Sequence, residues 1–264
     1  MHRHRGPRFF GAAALIVAAT LGISGCKTVG VSVYSDSILA RTDSGSAYQG
    51  ELTRTTLQQT GDSSVPDPQP PWAWTINADP GNWHAEPGRT MGGGYAVHSY
   101  YNLPIPNRPN VVVLSFGTND ADNWAWNTPG SYPIAYGKAF ADYWINKAYD
   151  AGATCAIWIL PNRNLVGDPN IWGPLPGTPL GNPSYKGQTA VIRYTQYMDE
   201  LRHYLLTKQD ADDATPNPAR RFRAVDWGTT ASLPGGWTRD TVHPSGAGAI
   251  WLGQAINTEI RRCA

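Results

Sequence analysis

Apolar residues in this chain fall into short unbroken runs set between polar stretches rich in Gly, Pro and Asn. The first run, Val29 to Tyr34, stops at the polar turn Ser35-Asp36-Ser37. Asn110 to Phe116 (NVVVLSF) and Thr154 to Leu160 (TCAIWIL) are continuous runs of strand length, the pattern of parallel strands buried on both faces. Phe222 to Trp227 (FRAVDW) predicts a further strand, and Ala73 to Ala78 a short one. Between them the period changes to a helical one. Ile134 to Asp150 carries Tyr136, Phe140, Tyr143 and Lys147 on one side, and Gln188 to Thr207 carries Val191, Tyr194, Met198, Leu201 and Leu205 on one stripe. Ala247 to Arg262 predicts a closing helix. Thr42 to about Gly94, least regular at Pro66 to Pro71, and residues 161–185 read as long connecting stretches. Strands alternating with helices predict an α/β sheet with helices on both faces. No repeat or internal linker divides it, so residues 26–264 form one domain.

The start of the chain stands outside that pattern. A basic opening (Arg3, Arg5, Arg8) precedes an apolar run from Phe9 to Ile23, shorter than the roughly 20 residues that span a bilayer. Residues 1–25 therefore read as a signal peptide. Ile23-Ser24-Gly25-Cys26 resembles the bacterial lipobox, which implies lipidation of Cys26 and anchorage outside the cytoplasm. An ordinary secretory signal with a chance cysteine is the alternative.

Removal of that segment changes the charge. The full chain is +1; without Arg3, Arg5 and Arg8, 18 basic residues face 20 acidic ones and the domain is −2. A nucleic-acid partner, which needs a basic face to displace counterions, is excluded on that balance. With 16% charged residues against roughly 25% for a typical domain, the chain is charge-poor, and its 11 Trp, 22 Pro and 28 Gly describe long aromatic loops rather than a helical bundle. Cys155 and Cys263 remain: they pair in an oxidising compartment, or Cys155, inside an apolar run, is a buried free thiol. The histidines His84, His98 and His203 lack metal-ligand spacing, so no metal or cofactor is expected, and His203 lies in a charged helical segment as a solvated residue.

In an open parallel sheet, ligands bind beyond the carboxyl ends of the strands. Three such ends carry polar clusters: Ser35-Asp36-Ser37-Ile38, Gly117-Thr118-Asn119-Asp120 and, past a loop, Asp240-Thr241-Val242-His243-Pro244. Singly each is an ordinary turn or cap, with Asp36 bonding nearby backbone and Ser245 capping the last helix beside Pro244. Together they bring a hydroxyl, an amide and an imidazole with a nearby carboxylate to one rim.

In this order and spacing the clusters resemble the sequence blocks of the SGNH (GDSL-type) hydrolases, over nearly the whole chain after residue 25. The resemblance implies a three-layer α/β/α flavodoxin-like sandwich around a central parallel sheet. It further implies Ser37 as nucleophile, His243 as general base and then acid, and Asp240 holding the imidazole. The Ser37 N–H, the Asn119 side-chain amide and a glycine N–H would form the oxyanion hole; within Met91-Gly92-Gly93-Gly94, Gly93 is the favoured position, with a register open by one residue either way. Ser35 stands where the family has a glycine. The implied activity is hydrolysis of a carboxylic ester, on a small or carbohydrate-linked substrate, by a monomer tethered to the membrane through its lipid. An O-acyltransferase acting on a cell-envelope sugar and a non-catalytic glycan-binding lipoprotein share the fold; the intact Ser, Asn, Asp and His set favours the esterase.

Of the tryptophans, Trp144 and Trp158 fall on predicted helix and strand and belong to the core. Trp124 and Trp126, just after Asn119, offer flat faces for a sugar ring or acyl chain. Trp72, Trp74, Trp83 and Trp172, in the irregular stretches, are weaker candidates for the same rim.

Overall fold

A computed structural model describes residues 27–41, 49–62, 74–92, 110–121, 134–162, 185–231, 236–239 and 242–263. Six strands form one parallel sheet: β1 (Lys27–Ser35), β2 (Trp74–Asn77), β3 (Trp83–Ala85), β4 (Val111–Ser115), β5 (Cys155–Ile159) and β6 (Arg221–Val225). β2 pairs with the first half of β1 and β3 with its last residues, so the two share one edge of β1. On the other side the order runs β1-β4-β5-β6, every pairing parallel. The chain thus leaves β1 in one direction and returns to β4 in the other. That reversal makes a switch point at the carboxyl ends of β1 and β4, where an open α/β sheet binds its ligands.

Every residue of β4 (VVVLS) and β5 (CAIWI) is buried, as expected for central strands covered on both faces. Two helix pairs flank the sheet. α1 (Gly50–Asp62) packs on the closing helix α5 (Gly246–Cys263), and α2 (Ile134–Asp150) packs on α3 (Tyr185–Ala214); the short α4 (Trp227–Ala231) follows β6. The stripe on α3 is as expected at Tyr194, Met198, Leu201 and Leu205, all buried, while Val191 lies outside the residues whose side chains are described.

Three expectations need correction. On α2 the buried stripe is Gly137, Ala141, Trp144, Ile145 and Ala148, and Tyr136 is exposed. The expected stripe runs through large side chains; the small Gly137 and Ala141 allow the closer approach, and a Cβ on Gly137 would sit 2.2 Å from the Tyr197 hydroxyl of α3. The stretch 42–94 is not all loop but holds α1 and β3. α3 runs seven residues past Thr207, to Ala214.

Candidate active site

The turn that carries Ser37 follows directly from the end of β1. Asp36 is the N-cap of a 3₁₀ turn, Ser37–Leu39: its Oδ1 accepts from the Ile38 N–H at 3.0 Å, and its own N–H donates to the Ser115 carbonyl of β4 at 3.0 Å. Ser35, in the family's glycine position, adds a brace. Its hydroxyl donates to the Asp36 carbonyl at 3.0 Å and accepts from the Leu39 N–H at 3.3 Å. Trp83 Nε1 closes the turn from the other side, donating to the Leu39 carbonyl at 2.7 Å. Trp83 is buried, so it is a support of this turn and not a rim aromatic.

His243 arrives from the far end of the chain. An isolated antiparallel bridge joins Thr238 to Pro244, with the Arg239 N–H donating to the His243 carbonyl at 2.9 Å and the Ser245 N–H to the Trp237 carbonyl at 2.9 Å. Ser245 caps α5 as expected, its Oγ accepting from the Gly248 N–H at 3.2 Å. These contacts hold the imidazole half-buried with Nε2 2.8 Å from Ser37 Oγ, across 206 residues of sequence. A basic nitrogen at hydrogen-bond distance from a serine hydroxyl is the geometry that lets the hydroxyl give up its proton as it attacks.

The third cluster follows β4. Gly117 turns the chain with φ 123, and a Cβ there would lie 2.8 Å from Leu201 Cδ2, so only glycine fits. A helical turn at 118–121 then presents Asn119, whose Nδ2 donates to the Arg89 carbonyl at 2.9 Å. One of the two amide hydrogens is fixed there, which orients the other. Asp120, buried, accepts from the Met91 N–H at 2.9 and 3.1 Å through its two oxygens, and Trp144 Nε1 donates to the Met91 carbonyl at 3.1 Å. Segment 89–91 is therefore held against the Asn119 turn. Gly92 serves packing, since a Cβ on it would lie 2.0 Å from the Phe140 ring of α2.

The electrostatics beneath the site are unusual. Asp36 and Asp120 are both fully buried. Burial pushes Asp36 up to about 8, against the Ile38 hydrogen bond and with the Asp120 charge adding to the rise. Burial alone carries Asp120 up to about 7, against its bonds to the Met91, Asp120 and Gly117 N–H groups.

Ser37 and His243 are thus brought together and Asn119 is aimed by a backbone carbonyl. Asp240, Gly93, Trp72, Trp124, Trp126, Trp172 and Cys26 lie outside the described residues, as does the side chain of Trp74. Sequence reasoning missed the Arg89 carbonyl, which no residue type signals, and the part Trp83 plays. His203 is exposed as expected, and no group of three metal-binding side chains occurs among the described residues.

The fold has relatives of known structure. Against a carbohydrate esterase family 3 protein from Talaromyces cellulolyticus the chain is 13% identical at a TM-score of 0.50, covering 89% of this chain and 97% of that one. The chain has the SGNH hydrolase fold. Looser likenesses within that fold include a putative acylhydrolase from Bacteroides fragilis (15% identical, 90% of this chain and 87% of that one, TM-score 0.49). Another is an acetylxylan esterase from Geobacillus stearothermophilus (17%, 90% and 94%, TM-score 0.44). No family model and no curated protein matches the sequence. In the SGNH frame, Ser37 follows β1 and Asn119 follows β4, on the two sides of the switch point.

Proposed function

We propose that the chain is a serine esterase that removes a short acyl group, acetyl foremost, from a carbohydrate hydroxyl. The observation that carries this reading is the 2.8 Å approach of His243 Nε2 to Ser37 Oγ at the switch point. The carbohydrate esterase that shares the fold supports the substrate class.

Ser37 Oγ adds to the ester carbonyl carbon as its proton passes to His243 Nε2. The tetrahedral intermediate collapses, its C–O bond breaks, and the leaving sugar oxygen takes the proton from His243. Water then gives a proton to His243 and attacks acyl-Ser37, releasing the acid and restoring the serine. Asp240 orients the imidazole. The second Asn119 amide hydrogen, with the Ser37 and Gly93 N–H groups, stabilises the oxyanion, each donor of this kind contributing roughly 100- to 1000-fold in rate. Trp124 and Trp126 are the rings proposed to stack on the sugar.

Ser37→Ala should lose more than about 1000-fold in activity on an activated acetate ester and on acetylated xylo-oligosaccharides, and should not react with a fluorophosphonate probe. Undiminished hydrolysis, or labelling at another residue, rejects the assignment. The protein acts outside the cytoplasm, held through lipid on Cys26, and Cys26→Ser should shift it from the membrane to the soluble fraction. An unchanged distribution rejects the anchor.

A further inference from the structure

A second cleft lies apart from Ser37 and His243, at the β6 edge of the sheet. Its volume is about 510 Å³, within the ~300–1,000 Å³ of small-ligand sites. Its walls are the end of β6 (Ala224, Val225, Asp226), the start of α4 (Thr229, Thr230) and one stripe of α5. That stripe is Trp251, Gln254, Ala255, Thr258, Glu259 and Arg262, the i, i+3, i+4 repeat of a single helix face. On the opposite side of α5, Ala249, Leu252, Gly253, Ile256 and Ile260 are buried. The helix therefore turns an aromatic ring, an amide and a hydroxyl into the cleft, and the small Ala224 and Ala255 leave the space between the walls open.

Trp251 is half-buried and packs on the core, its ring 6.0 Å from that of the fully buried Trp227. One side of the indole is thus fixed in place. Neither Trp251 Nε1 nor the Gln254 side-chain amide makes a hydrogen bond among the described residues. Thr258 Oγ1 donates to the Gln254 carbonyl at 3.1 Å, which orients the hydroxyl oxygen as an acceptor. The charged groups of the lining are already neutralised. Arg202 pairs with Asp226, and Glu259 takes Arg223 at 3.0 Å and Arg262 at 2.8 Å. An ion entering the cleft meets both signs, so the lining selects neither an anion nor a cation. A flat ring bordered by amide and hydroxyl groups suits instead the apolar faces and hydroxyl edges of a neutral sugar.

We propose that this cleft is a second carbohydrate-binding site, which holds neutral units of a glycan chain while other units of the same chain reach Ser37. It deepens the esterase reading and rests on that reading for its effect on rate, though not for the binding itself. α5 starts at Gly246, three residues past His243. The Trp251 end of the stripe is the nearer to the reaction, about 8 Å of helix from that start, and Arg262 lies roughly 16 Å farther along. A polymer held there raises the concentration of its own ester groups at Ser37, an advantage that a small ester cannot have.

The test is titration of the full chain with unesterified xylohexaose, cellohexaose and the galacturonic acid hexamer. It is read from the tryptophan indole N–H signals by NMR, with Trp251→Phe for assignment. The Trp251 signal should shift with at least one neutral hexamer and not with the acidic one. Trp251→Ala should weaken that binding at least about tenfold. Because Trp251 also packs on the core, the double variant Gln254→Ala, Thr258→Ala, at two exposed positions, supplies the comparison in an intact fold. It should bind at least about fivefold more weakly, and its kcat/KM on acetylated xylan, relative to that on an aryl acetate, should fall about fivefold. A Trp251 signal that no neutral hexamer moves, tighter binding of the acidic hexamer, or wild-type affinity or rate ratio in the double variant overturns the proposal. A wild type inactive on every ester would instead sink the esterase reading, and the hexamer titration would still decide the cleft.

Discussion

Ser35 shows how one side chain compensates for a departure from a pattern. Where the resembled family has a glycine, this chain has a hydroxyl that donates to the Asp36 carbonyl and accepts from the Leu39 N–H, both buried. Ser35→Ala leaves a buried N–H unsatisfied, which costs about 1–3 kcal/mol of stability. Because that N–H belongs to the turn carrying Ser37, the proposed nucleophile, kcat on an acetate ester should fall about tenfold, equivalent to ~1.4 kcal/mol in the barrier. Denaturant melts and steady-state kinetics check the two halves, and wild-type values in both would show the brace to be incidental. Ser37, Asn119 and His243 were legible because side-chain chemistry at strand ends is written in residue types. The acceptor that aims Asn119 is a backbone carbonyl, which every residue possesses, so nothing in the sequence marks Arg89.

Among the elements, legibility followed hydrophobic contrast. β4 and β5 are continuous apolar runs and could hardly be misread. α1 (GELTRTTLQQTGD) offers two leucines as its apolar signal. It buries Thr53, Arg54 and Thr56 beside Leu57, with Arg54 reaching the Ala78 carbonyl at 2.9 Å. Polar residues that pack through side-chain bonds carry no period-3.6 apolar signal. The same holds at the end of α3, whose last turns are polar yet guard an edge strand. Gln209 Oε1 accepts from the Ala224 N–H at 2.7 Å, and Asp213 pairs with Arg223, which also holds Glu259 of α5 at 3.0 Å. An unpaired edge is otherwise a template for aggregation. Arg223→Leu leaves Glu259, 9% exposed, with only the exposed Arg262 for a partner among the described residues. Removing one member of a buried pair is strongly destabilising, and the loss here should be about 3 kcal/mol by urea unfolding. A change under about 1 kcal/mol would show that Arg262 suffices.

For the molecule as a whole, the decisive covalent feature is the bond between Cys155, which opens β5, and Cys263, which closes α5. Sequence alone left pairing and a buried free thiol equally open, since the strand and the last helix need not have met. The fold brings their Cα atoms to 6.0 Å across 108 residues. That loop contains α3, β6 and His243, so the link constrains the half of the chain that brings His243 to Ser37. Closing a loop of this length removes unfolded-state entropy worth about 4.7 kcal/mol. A disulfide also accords with the proposed place of action outside the cytoplasm. Chain exported with residues 1–25 in place should carry no free thiol at Cys155 or Cys263. Chain made without them in a reducing cytosol should carry both and melt on the order of 10 °C lower. Below its melting point the reduced form should hydrolyse an acetate ester at the oxidised rate, because the bond lies away from the Ser37–His243 contact. Equal melting temperatures would mean that packing of α5 on β5 and β6 already restricts the chain as much as the bond does. A slower reduced enzyme, well below its melting point, would mean instead that the link helps to set the position of His243.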